Sequence, residues 1–396
     1  MKNPGVRSLA LGLCLCVLYI GYELARASSL ALFAARAAGL TGAWTACGGF
    51  LLSIATLALY GRGVEVMGAS WTLLVSAGGC SAIFLAFAIA LSACGGGDDD
   101  ISWTLVAALF ACREAYVTLL GTQIWALLSS ELKERGSETS RSWFCLIQGV
   151  SCICSAFAGM AAGRMATSGG HVYLLLATAL SLAVIACTVA GVSWDTLGGG
   201  KWKAGGNGGE SKLVRRKDGG GLLRVLCSSA SLFRRCPLLA ALLAEAMVCQ
   251  VLTATLNMSF NEAIRQSTLV SQASEKPGAR AAGFVGTSFA YIGVISGALQ
   301  LIVMPWAMLR VNPAFLLRAL PVVAGSGFLV TFVSPGFRMA AAAFAVTKVL
   351  DYSVRGTALE LVYQPMPDHE RLLGKEAIAT VGVRVGRTAA HVTLYL

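Results

Sequence analysis

LALGLCLCVLYIGYELARASSLALFA, residues 9–34, carries just two charges, Glu23 and Arg26. Crossing the hydrocarbon core of a bilayer as a helix takes about 20 mainly apolar residues, and this stretch is long enough. A secretory signal peptide is the competing reading of residues 9–20. The apolar run continues past any plausible cleavage site to Phe33, so a first transmembrane helix fits better. With eight residues ahead of it, no separate targeting extension is expected.

The same pattern recurs along the chain. Spans are predicted near 9–34, 41–60, 68–93, 101–129, 143–164, 172–193, 237–260, 283–308, 313–333, 337–361 and 376–396, about ten or eleven in all. Composition agrees. The hydrophobic share is 56% and the charged share 13%, with a mean hydropathy of +0.70. Soluble domains carry about a quarter of their residues as charges, so the apolar surplus here must face lipid. The expected fold class is an all-α polytopic membrane protein.

The formal net charge of +11 reads first as topology, because Lys and Arg collect in cytoplasmic loops. Lys2, Arg7, Arg62, Lys133, Arg135 and Arg141 fall on one side of the bilayer if the N-terminus is cytoplasmic. So do Lys201, Lys203, Lys212, Arg215, Arg216, Lys217, Arg224, Arg234 and Arg235 of the loop 195–236, whereas Asp98, Asp99 and Asp100 fall on the other. Arg36 and Arg338 run against this trend. A basic lumen for an anionic substrate is the second reading of the charge, and no nucleic-acid partner is expected.

Within that loop, GGGKWKAGGNGGESKLVRRKDGGG (residues 198–221) has the composition of a flexible, solvated linker. It lacks the GxxxxGK[ST] of a phosphate-cradling loop. Six spans before it and about five after suggest the two-half layout of major-facilitator-type carriers, with a site at the midplane between halves. The expected organisation is a six-helix half over 1–194, a basic Gly-rich cytoplasmic linker over 195–236, and an incomplete half of about five helices over 237–396. Nothing in the sequence fixes an oligomeric state.

Thirteen cysteines, no CxxC pair, and three scattered histidines (His171, His369, His391) give neither a disulfide framework nor a zinc site. The cysteines read as small packing residues between helices. No GxSxG, HExxH or Ser/His/Asp grouping is present, so a carrier that makes and breaks no bonds is expected, with no cofactor.

Charges inside apolar spans are functional candidates by default. Glu23 and Arg26 lie three apart on one helical face, either as a local ion pair or with Arg26 reaching a substrate phosphate. Arg113 precedes Glu114; its long stem can snorkel towards the interface, whereas Glu114 needs a cavity. The seventh span holds Glu245 and Gln250, then Asn257, Asn261 and Glu262. Lys348, Asp351, Arg355 and Glu360 make the tenth span the richest. The spacings of Lys348–Asp351 and Asp351–Arg355 also allow a ladder satisfied within one helix.

LDYSVRGTALELVYQPMPDHERLLGKEAIATVGVRVGRT, residues 350–388, resembles the signature region of the nucleotide transporter family. These are the ATP/ADP translocases of plastids and obligate intracellular bacteria, with a pattern near YSLxxxxKEMxYIPLxxxxKxKGKAAIDVVGxRxGKS. The matching positions are Tyr352-Ser353, Glu360, Tyr363, Pro365, Gly374-Lys375, Ala377-Ile378, Val381-Gly382, Arg384, Gly386 and Thr388. The family's AELWGS motif and a second Glu in FANEI resemble Glu114 and Glu131 at the same spacing. Its SEAKRFY-like segment resembles Ser137-Glu138, Arg141 and Trp143-Phe144, and EVTWKSQL is faintly echoed by NMSFNEAI over 257–264.

The resemblance implies a twelve-span, major-facilitator-like carrier that exchanges ATP for ADP, or takes up nucleotides with protons or phosphate. It would sit in a bacterial inner membrane or a plastid inner envelope. Of the charged residues the family uses for recognition, the resemblance leaves Glu114 and Glu360; Arg26, Lys375 and Arg384 are the candidate substitutes for the missing charges, and Asn257 holds the seventh-span position. This chain departs from the pattern in the first span, where a lysine and an aspartate fall on Ser29 and Leu30. The seventh-span glutamate falls on Asn257, and the lysine before Glu360 falls on Leu359. Each lost charge-assisted phosphate contact is worth about 1.5–3 kcal/mol. The chain thus reads as a divergent, C-terminally short relative. A major-facilitator-type carrier for a non-nucleotide solute and a non-transporting degenerate relative stay open beside it.

Overall fold

The computed structural model describes residues 4–36, 52, 55–56, 59–60, 62–64, 66–94, 102–133, 137–167, 170–197, 233–270, 277–334, 336–363, 366, 374–375 and 378–395. Among them α1 is Pro4–Arg36, α2 Ala69–Ala93, α3 Trp103–Lys133, α4 Ser137–Thr167 and α5 His171–Leu197. There follow α6 Pro237–Val270, α7 Pro277–Ala298, α8 Met304–Arg310, α9 Pro313–Val333, α10 Phe337–Leu350, α11 Gly356–Tyr363 and α12 Val383–Tyr395. Three five-residue π-turns join consecutive pieces: Leu299–Val303 between α7 and α8, Asp351–Arg355 between α10 and α11, and Ile378–Gly382 before α12.

Proline opens α1, α6, α7 and α9. In the first turn its missing N–H is one that no helix satisfies, and its fixed φ suits the helix. Asn312 caps α9, its Oδ1 accepting from the Ala314 backbone N–H at 2.9 Å. Eight of the described helical stretches are long and apolar enough to cross a membrane, from Gly5–Leu30 to Pro313–Val333. Large apolar side chains such as Leu180, Val322 and Phe332 lie outward on these helices, as lipid-facing residues must. The chain is an all-α, multi-pass membrane protein. The expected span at 41–60 lies almost wholly outside the described residues, and the linker 198–221 lies entirely outside them.

Packing divides the helices into two groups. Residues between Leu11 and Val189, from α1 to α5, form one apolar core. A second core draws on Leu239 to Ile378, with Cys145 of α4 joining it. In the first group α1 packs on α3, α4 and α5, and α2 packs on α5; in the second, α6 packs on α9, α10 and α12. The groups meet chiefly where α4 lies along α7, with α1 also touching α7.

That seam is lined by small residues. A Cβ on Gly286 would stand 3.0 Å from both Gly163 Cα and the Gly159 carbonyl oxygen, and one on Gly293 would stand 2.9 Å from the Cys152 carbonyl oxygen. In lipid, where apolar side chains gain little by leaving their solvent, such close backbone approach is a main source of helix association. The last helix is seated in the same way: a Cβ on Gly386 would lie 2.7 Å from the Met247 carbonyl oxygen of α6.

Candidate functional site

Charged side chains from both groups converge on Glu114 of α3. Its Oε1 accepts from the neighbouring Arg113 Nη2 at 2.6 Å and from the Tyr22 hydroxyl of α1 at 3.4 Å. Its Oε2 accepts from Arg387 Nη1 at 2.7 Å and Arg384 Nη1 at 3.4 Å, both on α12. Arg384 Nη2 also donates to the Glu114 carbonyl oxygen, and to Thr118 Oγ1 at 2.8 Å. Arg387 Nε donates to Gln250 Oε1 of α6 at 2.9 Å. One carboxylate therefore gathers three guanidinium groups and ties α3 to α12 through two of them, Arg384 and Arg387.

Arg113 does not snorkel. It is 3% exposed, and its Nη1 donates to Ser29 Oγ on α1 at 2.8 Å. Inside the bundle Glu114 takes its Nη2 and Ser29 its Nη1, while its Nε has no hydrogen-bond partner among the described residues. Beyond Tyr22, whose ring lies 5.6 Å from Arg26 Cζ and 6.0 Å from Arg113 Cζ, comes the Glu23–Arg26 pair. The local ion pair on α1 thus forms. Arg26 also crosses the seam, its Cζ lying 3.4 Å from the centroid of Phe289 on α7.

The tenth-span ladder forms only in part. Arg355 reaches Asp351 at 3.5 Å, but its principal partner is Glu245 of α6, bound through Nε at 3.1 Å and Nη2 at 3.2 Å. Lys348 makes no ion pair among the described residues. Its Nζ lies 5.5 Å from the Tyr352 ring and 6.0 Å from the Phe344 ring, one turn either side. The pair that spans the π-turn, Asp351 with Arg355, is the one that forms, while Lys348 at the end of α10 lies against aromatic rings instead. Lys348 lies within electrostatic reach of Asp351, Arg387, Arg26 and Glu114.

Of the residues singled out from sequence, Glu114 and Arg384 are in contact, and Arg26 stands behind Tyr22 on the same side. Glu360 and Lys375 pair with each other and share no contact with the Glu114 group. Asn257, half-buried, makes no hydrogen bond to another described residue; it lies two turns along α6 from Gln250, on the same face.

Helices from two groups, meeting at a small-residue seam around a buried charge cluster, can be compared with solved structures. The nucleoside transporter NupG superposes with a TM-score of 0.58 at 10% identity, covering 97% of this chain and 90% of that one. The proton:xylose symporter XylE, a major facilitator superfamily protein, gives 0.60 at 12% identity, covering 99% and 89%. The human organic anion transporter MFSD10 gives 0.58 at 14%, covering 100% and 95%. The fold is that of the major facilitator proteins. No protein-family model matches the chain, and no curated protein matches it by sequence.

Within this fold, sequence reading missed Arg387, Tyr22 and the reach of Arg355, and named Gln250 without its partner Arg387. Arg387 carried a usable signal. Arg384 and Arg387 are three apart in a helix that packs on an apolar neighbour, so both guanidinium groups share one face. Tyr22 carried none, being an ordinary residue at membrane depth until the helices are assembled.

Proposed function

We propose that the chain is a transmembrane carrier that moves an anionic solute by alternating access about the Glu114 cluster. The observation that carries this reading is the charge balance at membrane depth. Six cations gather there, Arg26, Arg113, Lys348, Arg355, Arg384 and Arg387, against four carboxylates, Glu23, Glu114, Glu245 and Asp351, which leaves two in excess. The neutral Glu360–Lys375 pair changes nothing. Each uncompensated ion costs several kcal/mol in a low-dielectric interior, and an excess of two cations favours an anion there. Residues 1–194 and 237–396 are taken as the rocking halves and 195–236 as their connection.

Among anions, a nucleotide is favoured by the signature-like stretch at 350–388 and by Glu114. Arg26, Glu114, Asn257, Glu360, Lys375 and Arg384 are the proposed contacts. A neutral solute is the second reading, favoured by the likeness in fold to NupG and XylE and by Ser29, Leu30 and Leu359 at positions where the resemblance calls for charge. Uptake into proteoliposomes separates the two. The panel is radiolabelled ATP, ADP, other ribo- and deoxynucleotides, uridine and xylose. Saturable nucleotide uptake that falls roughly ten- to a hundredfold in Arg384→Ala is expected, the loss of about 1.5–3 kcal/mol of charge-assisted contact. Uptake of uridine or xylose with no nucleotide uptake would overturn the anionic reading.

A further inference from the structure

We infer that Arg384 and Arg387 form an oxyanion subsite whose occupant in this structure is the protein's own Glu114 carboxylate, and that a transported anion takes Glu114's place. The inference rests on the anion-carrier reading and adds to it the ligand chemistry and the competitor.

Glu114 needs neither arginine of α12 for its own neutrality. Arg113 satisfies it within α3 at 2.6 Å, and the Tyr22 hydroxyl adds a second donor. Arg384 and Arg387 are the surplus, and they reach the same carboxylate from the other helix group. Arg384 is 5% exposed, and its Nε has no hydrogen-bond partner among the described residues. A buried guanidinium with an unused donor is costly to leave so, and a ligand with more acceptor oxygens than one carboxylate would use it. The Arg387 side chain is the most open of the group at 37%, against 15% for Glu114 and 6% for Arg384. Arg387 is therefore the most accessible donor of the pair, and Gln250 fixes its Nε.

Two guanidinium forks side by side take a group with several coplanar or tetrahedral oxygens, phosphate or carboxylate alike. A displaced Glu114 keeps Arg113 and Tyr22, so it is not stranded. The same exchange removes both carboxylate contacts between α3 and α12 and leaves Arg384 Nη2 on the Glu114 carbonyl and Thr118. The anion's differential affinity therefore acts on part of the contact between the two helix groups.

The test uses the purified full chain in detergent, with ATP, pyrophosphate and citrate as probes. Calorimetric titration is run on the wild type, Glu114→Gln, Glu114→Asp and Arg387→Gln. Hydrogen exchange is followed at residues 110–118 and 383–390. Removing a competitor that fills the site about nine-tenths of the time tightens binding about tenfold. Glu114→Gln is expected to show that gain, Glu114→Asp to stay near wild type, and Arg387→Gln to lose binding. Exchange should rise in both segments of Glu114→Gln and fall again over 383–390 on binding. Pyrophosphate bound without citrate assigns the subsite to phosphate, and the reverse assigns it to carboxylate. Wild-type binding that Glu114→Gln leaves unchanged or weakens would overturn the inference while leaving the anion carrier standing. So would raised exchange that no bound probe reverses. Failure of every probe on wild type and Glu114→Gln alike would overturn both.

Discussion

Arg355 shows how a charge at membrane depth is tolerated. It is 8% exposed, and both Glu245 oxygens receive its fork, at 3.1 and 3.2 Å, while Asp351 takes Nη1 at 3.5 Å. Removing one partner of a buried pair costs about 3–5 kcal/mol, because a bare charge stays behind, whereas replacing both by apolar groups is often neutral. Glu245→Ala is therefore expected to lower the folded yield and the thermal midpoint sharply. Glu245→Leu and Arg355→Leu together with Asp351→Asn, which removes the charge that Arg355 also holds, should recover most of that loss, as read by fluorescence-detected size exclusion after heating. Recovery of stability without recovery of transport would mark the pair as part of the moving machinery. Sequence supplied the residues of this network but not their pairing. Asp351 and Arg355 four apart read as a local pair, and nothing in the order of residues ties Arg355 to a carboxylate 110 positions earlier. Only the assembly of α6 against the π-turn brings them together.

At the scale of elements, apolar run length was enough to locate eight of the expected spans, since a span must satisfy its own backbone and has a minimum length. The stretches at 337–361 and 376–396 are helical but interrupted by π-turns. The π-turns were not legible, because each is set by packing and lies in a stretch with ordinary helical composition, LQLIV being one. Glycine positions were legible as a resemblance at Gly382 and Gly386 and acquired a physical cause in the structure. A Cβ on either would press into α6, at 3.0 Å from Leu243 Cδ1 and 2.7 Å from the Met247 carbonyl oxygen. Gly386→Leu is expected to push α12 away from α6 and draw Arg387 off Gln250. Transport should fall, and the thermal midpoint should drop by an amount matching about 1–3 kcal/mol of overpacking. Gly286→Leu should do the same at the α4–α7 seam, where the two helix groups meet. Gly78→Leu serves as the control: a Cβ there meets nothing within 4 Å, so insertion, stability and uptake should stay at wild-type levels. A seam substitution as harmless as the control would show that close α4–α7 contact is not required.

For the whole molecule, the positive-inside pattern fixes a sidedness that the helices themselves do not. An impermeant amine reagent should label Lys201, Lys203 and Lys212 in permeabilised cells and leave them unlabelled in intact ones. Labelling in intact cells would invert the topology and with it the side from which Arg387 is approached. The same loop bears on how the two helix groups stay together. They hold each other directly, through the α4–α7 seam, through Arg26 on Phe289, and through Glu114 to Arg384 and Arg387. A tether adds effective concentration to such contacts as long as it can span its ends. With 198–221 deleted, residues 222–232 remain between Leu197 and Phe233, and an extended chain reaches about 3.3–3.6 Å per residue. Deleting 198–221 is therefore expected to leave insertion unchanged and uptake within about twofold of wild type. A deletion that inserts normally yet loses uptake would mean that the basic segment itself takes part in transport, as a regulatory element or as the docking site of an acidic partner.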